Sequence, residues 1–432
     1  MLSSRLPKDL SPSPFFAELE RVKAQVSAET ARGEGLPFID MTVSSPVKAG
    51  LPVEMDAAVE SARSGFGCWN PDAAGWKSAR EAVVEYYRER GGNFTAGQIL
   101  LTASTSEAYS VLFKTFCDPG DVILTPMPGY PLLDTLAQLE HLECAPYFLK
   151  LKRERFDKLT DLKKITERRS APVEVNSFSF VLDSDSLLAA PEKAKILLLV
   201  SPHNPTGHCV SREEWNAAVR FCEENDMVLV VDEVFGDYGF SNKAQRSWKY
   251  LLGEEHLWDA GGNDLINLPE DGPKCPIFWL NGLSKAVGSP QLKLGWMAFY
   301  APREHFEEIR AALEFVEDAY LSVSAPAQAL GMSLLPKASA YEAQVKDRLL
   351  ANWQTLREAF PAKYCPEVLG GWYAVVRLGE DDEELTLRLL QEKHVLVQPG
   401  FFFDFDEDGW VVISLLQEPA IFKEAVRRMA DR

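Results

Sequence analysis

The sequence predicts an α/β protein, with a large and mostly parallel sheet wrapped by helices and then a smaller α+β unit. Three observations predict it. Short apolar strands alternate with amphipathic helices between residues 98 and 142 and again between 195 and 299, at the spacing of βαβ units. From about residue 300 the texture changes to long charged helices followed by three alternating strands. The 432 residues also exceed what one hydrophobic core usually supports, so two domains are expected. The expected division is an N-terminal segment, 1–50, packing with the small domain, a large domain, 51–315, and a small C-terminal domain, 316–432.

In chain order, residues 1–36 read as an arm plus one helix. Ser13 and Pro14 start that helix and 15–32 carry it. Residues 38–43 are strand-like and run into Ser44, Ser45 and Pro46. Residues 57–64 read as helix, and 65–72 as loop on their Gly and Pro content. An amphipathic helix over 75–90 ends at Gly91 and Gly92. The rhythm then begins: strand 98–102, polar turn 103–106, helix 107–117, strand 122–125, loop 126–131, helix 132–142. Residues 150–190 are weakly patterned and receive no element. The fully apolar strand 195–200 leads to the turn 201–207 and the helix 212–225. Strand 227–231 delivers Asp232 at its end. Residues 241–275, rich in Gly, Asn, Asp and Pro, read as a surface excursion. Strand 277–280 enters a small turn that presents Lys285, and apolar text resumes at 294–299. Helices follow at 303–319 and 338–359, then strands at 371–378, 395–398 and 410–415.

Composition narrows the function classes. Lys+Arg is 45 and Asp+Glu is 64, a net charge of −19, which argues against non-specific nucleic-acid binding and against an anionic membrane surface. No apolar run approaches membrane-spanning length, and residues 1–8 lack an apolar signal core. Seven cysteines without a C-x-x-C pair argue against a zinc site or a disulfide framework and fit a reducing cytoplasm. Six histidines show no ligand spacing, so no metal is expected. His203 and His208 read as turn residues or supports behind a site.

In open α/β sheets, ligands bind beyond the carboxyl ends of the strands. Ser104, Thr105, Ser106, Tyr130, Asn204, Asp232 and Lys285 all fall there. Taken singly, each has a structural reading: a helix cap, a packed ring, a turn residue, an ion pair, a solvated lysine. Together they match one ligand. A helix N-terminus at 104–106 suits a phosphate, and Tyr130 offers a flat ring for stacking. Asp232 can pair with a basic ring nitrogen, Asn204 can donate to a ring oxygen, and Lys285 can form a Schiff base with an aldehyde. That ligand is pyridoxal 5'-phosphate, an electron sink for a carbanion at a substrate Cα.

The same residues carry a resemblance. Ser-Pro-His-Asn-Pro-Thr-Gly (201–207), Asp-Glu-Val-Phe (232–235), Leu-Ser-Lys (283–285) and Lys-Leu-Gly-Trp (293–296) stand in the order of class I/II aminotransferases, pyridoxal-phosphate enzymes of fold type I. Asp-Pro-Gly-Asp (118–121), Pro-Gly-Tyr-Pro (128–131) and Gly-Gly-Trp-Tyr (370–373) also match, so the resemblance covers roughly 36–425. It implies a Lys285 Schiff base, transfer of an amino group from an amino-acid-like donor to a 2-oxo acid, and a homodimer with active sites at the subunit interface. Several positions depart from the family pattern. Lys293 replaces an arginine that assists the phosphate, which keeps the charge and loses the bidentate fork. Gly282 replaces a Ser or Thr, Phe235 a tyrosine, and Trp69 a tyrosine that reaches the neighbouring subunit's phosphate. The arginine that grips the substrate α-carboxylate is missing near Val412, which leaves Arg377 or Lys293 to take that part, or a substrate that differs at that end. A lyase, decarboxylase or racemase on the same sink, and a regulatory cofactor-binding module without turnover, stand as alternatives.

Overall fold

The computed structural model describes residues 3–431 except 4, 8, 9, 12, 156–175, 242–243, 253–271, 322 and 380. Its centre is an eight-stranded sheet. In chain order its strands are β2 (Ile99–Thr102), β3 (Val122–Met127), β4 (Glu143–Arg155), β5 (Asn176–Leu182), β6 (Ala194–Val200), β7 (Val228–Asp232), β8 (Ile277–Gly282) and β9 (Gly295–Tyr300), with β1 (Ile39–Asp40) lying outside it. The spatial order is β2-β9-β8-β7-β6-β3-β4-β5. The run from β8 to β4 is parallel. β9 is antiparallel to both its neighbours, and β5 is an antiparallel edge. Two antiparallel steps through β9 turn β2 back into line, so β2, β3, β6, β7 and β8 all open their carboxyl ends on one side.

Alternation decides which face each side chain takes. Leu197, Leu199, Leu229, Val231, Ile277 and Trp279 join the core on one face of the sheet. Ile196, Leu198, Val228, Val230, Phe278 and Leu280 join a second core on the other. Both faces are therefore dry, which is why these strands read as unbroken apolar runs. The helices α1 (Pro14–Ala31), α2 (Asp56–Ala62), α3 (Lys77–Arg88), α4 (Thr105–Phe116), α5 (Leu132–Leu139), α6 (Arg212–Glu224) and α7 (Phe306–Tyr320) follow the expected order with ends shifted by a few residues, and α4 begins inside the expected polar turn 103–106. A capping box fixes the start of α6: Glu214 N–H donates to Ser211 Oγ and Ser211 N–H to the Glu214 carboxylate.

The C-terminal part holds β10 (Tyr373–Arg377), β11 (Val395–Leu396), β12 (Gln398–Pro399) and β13 (Trp410–Ser414). β10, β13 and β12 form an antiparallel sheet, and β11 pairs in parallel with β1. Three helices here received no expectation from sequence: α8 (Ala325–Leu334), α10 (Asp382–Lys393) and α11 (Pro419–Ala430). The expected helix over 338–359 is α9 (Ala338–Ala359). Phe15, Leu19, Val22 and Val26 of α1 pack against Leu390 and Leu396 in a third core, so the chain's two ends meet.

Some expectations shift. The strand expected over 38–43 is two residues long, and the one over 395–398 is divided at Val397. Within the weakly patterned stretch 150–190, β4 and β5 pair at the sheet edge, and residues 156–175 lie outside the described residues. The excursion over 241–275 contains a short helix, Trp248–Leu252, and residues 253–271 likewise lie outside the description. Among the described residues, no helix is long and apolar enough to cross a membrane, and no group of three His, Cys, Asp or Glu could hold a metal ion.

Candidate active site

The parallel strands deliver their polar residues to one cleft of about 320 Å³. Ser104, Thr105, Ser106, Tyr130, Asn204, Asp232, Lys285 and Lys293 all line it. The chain turns one way from β3 to β4 and the other way from β6 to β7. The cleft thus lies at the switch point where a crevice opens in such sheets.

Asp232 is the last residue of β7. Burial pushes its carboxyl up. The phenol of Tyr109 on α4, which donates to Oδ2 at 2.6 Å, acts in the other direction, as does Val234 N–H, which donates to Oδ1 at 3.0 Å. Among the described residues, both hydrogen bonds to this carboxylate come from neutral donors, so it can still accept a cationic one. Tyr109 stands four residues after Thr105, one turn along the same helix face. That spacing is the one signal by which sequence reading could have found it.

Lys285 sits in a four-residue helical turn, Leu283–Ala286, directly after β8. Burial lowers its amine to about 8, against the opposing pull of the Asp232 carboxylate. The Tyr238 phenol donates to the Lys285 carbonyl at 2.6 Å, and Gly282 N–H donates to Asn281 Oδ1 at 2.7 Å, so the turn is held from both ends. Gly282 allows a close approach: a Cβ there would come within 3.0 Å of Gly295 Cα and of the Leu294 carbonyl oxygen.

Ser104 caps α4 by accepting from Glu107 N–H at 3.2 Å. The first-turn amides of Thr105 and Ser106 lie ahead of any intrahelical acceptor, and the dipole of α4 adds its positive end. Lys293 holds a left-handed backbone, φ +55°, between the turn Pro290–Leu292 and β9. Tyr130 is 47% exposed at the cleft, which rules out the core-packing reading of that ring. Asn204 Oδ1 is buried without a hydrogen-bond partner among the described residues. His203 Nδ1 meets Thr206 Oγ1 at 2.9 Å and burial lowers its ring to about 3, so it is neutral. His208 Nε2 meets Glu214 at 3.1 Å. Ser44 and Tyr373 also line the cleft, and sequence reading gave neither a role there.

The departures noted above are placed as follows. Phe235 is buried at the cleft wall, Trp69 is 84% exposed, and Val412 is fully buried in the core. Arg377 pairs with Glu407 at 2.5 Å and does not line the cleft, whereas Lys293 does.

The arrangement suits a flat, partly apolar molecule with an anion at one end and a cationic nitrogen at the other. Free amides and hydroxyls face one end, a carboxylate short of a donor faces the other, and a primary amine of lowered basicity stands between. Pyridoxal phosphate fits that donor set.

The comparisons with known proteins agree. A family model described as aminotransferase class I and II matches residues 50–429. An alanine aminotransferase of Mycobacterium tuberculosis is 26% identical over 433 residues, covering 96% of this chain and 90% of that one. A glutamate-pyruvate aminotransferase of Escherichia coli is 23% identical over 424 residues, covering 91% of each. Among solved structures, an alanine aminotransferase from Pyrococcus furiosus shares the fold, with a TM-score of 0.73 at 21% identity over 97% of this chain and 98% of that one.

Proposed function

Because the chain belongs to the class I and II aminotransferases, we propose that Lys285 is the amine through which it works, in the cleft beyond β7 and β8. The enzyme is a pyridoxal-phosphate-dependent transaminase, which moves an amino group from a donor to a 2-oxo acid. When bound, the cofactor supplies an electron sink for the carbanion at the substrate Cα. The chain's residues supply the rest. Ser104, Thr105, Ser106 and Lys293 take the phosphate, which at the start of α4 meets amides, hydroxyls and a positive dipole end. Asp232 takes the ring nitrogen and keeps it protonated, with Tyr109 holding the carboxylate in place. Asn204 donates to the ring oxygen, and Tyr130 covers the ring. Lys285 would anchor the aldehyde carbon and, once released, would carry a proton from the substrate Cα to that carbon.

The observation that carries this reading is the meeting of one buried carboxylate and one low-basicity amine beside a helix N-terminus, in a single cleft. Small 2-amino acids such as alanine and glutamate are the proposed donors, on the strength of the relatives' names. The test is single turnover of the loaded enzyme with each amino acid, followed by cofactor absorbance and keto-acid analysis. One equivalent of pyruvate or 2-oxoglutarate should form, and an added oxo acid should restore the starting spectrum. Ammonia or carbon dioxide released without need of an acceptor would replace transfer by elimination or decarboxylation.

The large domain is 51–315, and 1–50 joins 316–432, a division supported by α1 packing on Leu390 and Leu396. A homodimer is proposed, supported by the exposed Trp69 in the segment the resemblance places at a neighbouring subunit. The seven free cysteines fit a cytoplasmic location, and the net charge of −19 argues against nucleic acid or an anionic membrane as a partner.

A further inference from the structure

The Lys285 amine does not stand in an ordinary polar pocket. Nζ lies 4.6 Å from the centroid of the Trp372 indole and 5.2 Å from that of the Phe235 ring. The two rings meet edge to face at 5.4 Å, so they form two walls of one corner. The corner is built, not incidental. Trp372 is fully buried and packs on Tyr238 at 5.1 Å, and the Tyr238 phenol holds the Lys285 carbonyl. Gly370 and Gly371 let the strand come in this close. A Cβ on Gly370 would lie 2.8 Å from the Tyr238 carbonyl oxygen, and Gly371 has φ +89° and donates its N–H to that same oxygen at 3.0 Å. Phe235 stands three residues beyond Asp232, so the loop that ends β7 supplies one wall along with the carboxylate.

Ring faces carry the negative part of the aromatic quadrupole and attract a cation within about 6 Å, most strongly where water is excluded. We propose that Trp372 and Phe235 form an aromatic seat that holds the freed Lys285 ammonium beside the substrate Cα, making both positioning residues for the proton transfer. The proposal rests on Lys285 being the anchoring amine. In the first half-reaction the proton would pass from Cα to Nζ, which becomes an ammonium, and from Nζ to the former aldehyde carbon; in the second it would run the opposite way, so Nζ is an ammonium midway in both. A longer side chain free to swing would drop out of reach between those two events. The seat keeps it there by charge rather than by a hydrogen bond, so the proton can depart without a competing acceptor. Among the described residues lining the cleft, Asp232 and Lys293 are the charged groups that share it with the amine, and the phenols of Tyr109, Tyr130 and Tyr373 are its other titratable side chains.

The test uses the full-length protein loaded with pyridoxamine phosphate, in which Lys285 carries no covalent bond. Tryptophan analogues with one to four ring fluorines are placed at position 372 by site-specific incorporation, which weakens the ring's negative face at nearly constant shape. The pH dependence of Lys285 modification by a small amine-reactive reagent is read by peptide mass spectrometry. The expected result is a stepwise fall in the labelling midpoint, by about one pH unit across the series, a roughly tenfold change in the protonated fraction. Phe235→Leu should shift it in the same direction, and Trp372→Phe should retain most of the native value. A midpoint that stays fixed across the fluorinated series overturns the seat, as does a rise toward ordinary lysine, which would mean that Trp372 only keeps water out. Borohydride reduction of the unmodified, pyridoxal-phosphate-loaded protein is the control. Cofactor fixed at a residue other than Lys285 overturns the reading beneath the proposal and the proposal with it.

Discussion

A carboxylate at the end of a fully apolar strand is costly unless something meets it, and Asp232 is met by the Tyr109 phenol at 2.6 Å. That bond favours the ionised form, so Tyr109→Phe should push the carboxyl further up and weaken its hold on a protonated ring nitrogen. A hydrogen bond to a charged group contributes about 1.5–3 kcal/mol, so the cofactor dissociation constant should rise roughly ten- to hundredfold. Equilibrium dialysis of the cofactor would measure it. Lys285 gives a second outcome at this scale. Its amine is lowered to about 8 from the ordinary 10.5. Between those values the unfolded chain binds a proton that the folded chain has released, so stability rises with pH across that window. The cost of charging the buried amine is full below about 8. In cofactor-free protein, Lys285→Met should abolish this rise in urea midpoints between pH 8 and 10.5. Asp232, Lys285, Asn204 and the Ser104–Ser106 turn were all legible in the sequence, because strand ends and turn chemistry mark them. Tyr109 lay one helical turn beyond the marked residues. Trp372 meets Lys285 only through tertiary packing, which no local pattern encodes.

Elements matter here mainly for where they stop. β9 passes so close to the start of α4 that a Cβ on Gly295 would lie 3.0 Å from the Ser104 carbonyl carbon and 3.2 Å from its Cα and from the Asn281 oxygen. Gly295→Ala should therefore push the first turn of α4 out of place. We expect a loss of about 1–3 kcal/mol in stability, measured by urea denaturation, and a selective weakening of phosphate binding, measured by titration with inorganic phosphate. Central strands were easy to read because both faces are buried and the apolar runs are continuous. β4 and β5 were not: the outer half of β4 mixes Lys and Arg into the text, and β5, at the antiparallel edge, interleaves Asn and Ser with its apolar residues. The C-terminal helix α10 was missed because charge is spread around it while a narrow stripe, Leu385, Leu389 and Leu390, does the packing; α11 carries a clear apolar face, Phe422, Ala425, Val426 and Met429, and was legible though not read.

At the scale of the whole molecule, a buried polar network ties the strand ends at the cleft to α3 and to the loop after β7. Arg90 Nε donates to Asp237 Oδ1 at 2.7 Å and Arg246 pairs with the same carboxylate. The Tyr86 phenol donates to Asp237 Oδ2 at 2.8 Å and accepts from Asn281 Nδ2 at 3.1 Å. The Glu233 carboxylate accepts from Ser247 N–H at 2.7 Å and from its hydroxyl at 2.6 Å. Glu233 follows Asp232 and Asn281 precedes the Lys285 turn, so the network fixes the two chain segments that must face each other. Removing one partner of a buried pair costs about 3–5 kcal/mol, so Arg246→Met should lower the urea midpoint by that equivalent. Convergence of the polar residues on one cleft was legible from the strand rhythm alone, since parallel strands share a carboxyl edge. The antiparallel turn-back through β9, which brings β2 and Ser104 to that edge, was not. The central claim is that this convergence makes Lys285 the anchor. Sodium borohydride reduction of the purified, cofactor-loaded protein, followed by peptide mapping, tests it most directly. The account predicts one pyridoxyl phosphate per chain, on Lys285 and absent from Lys285→Ala. Label on a different lysine, or label that survives in Lys285→Ala, would contradict it.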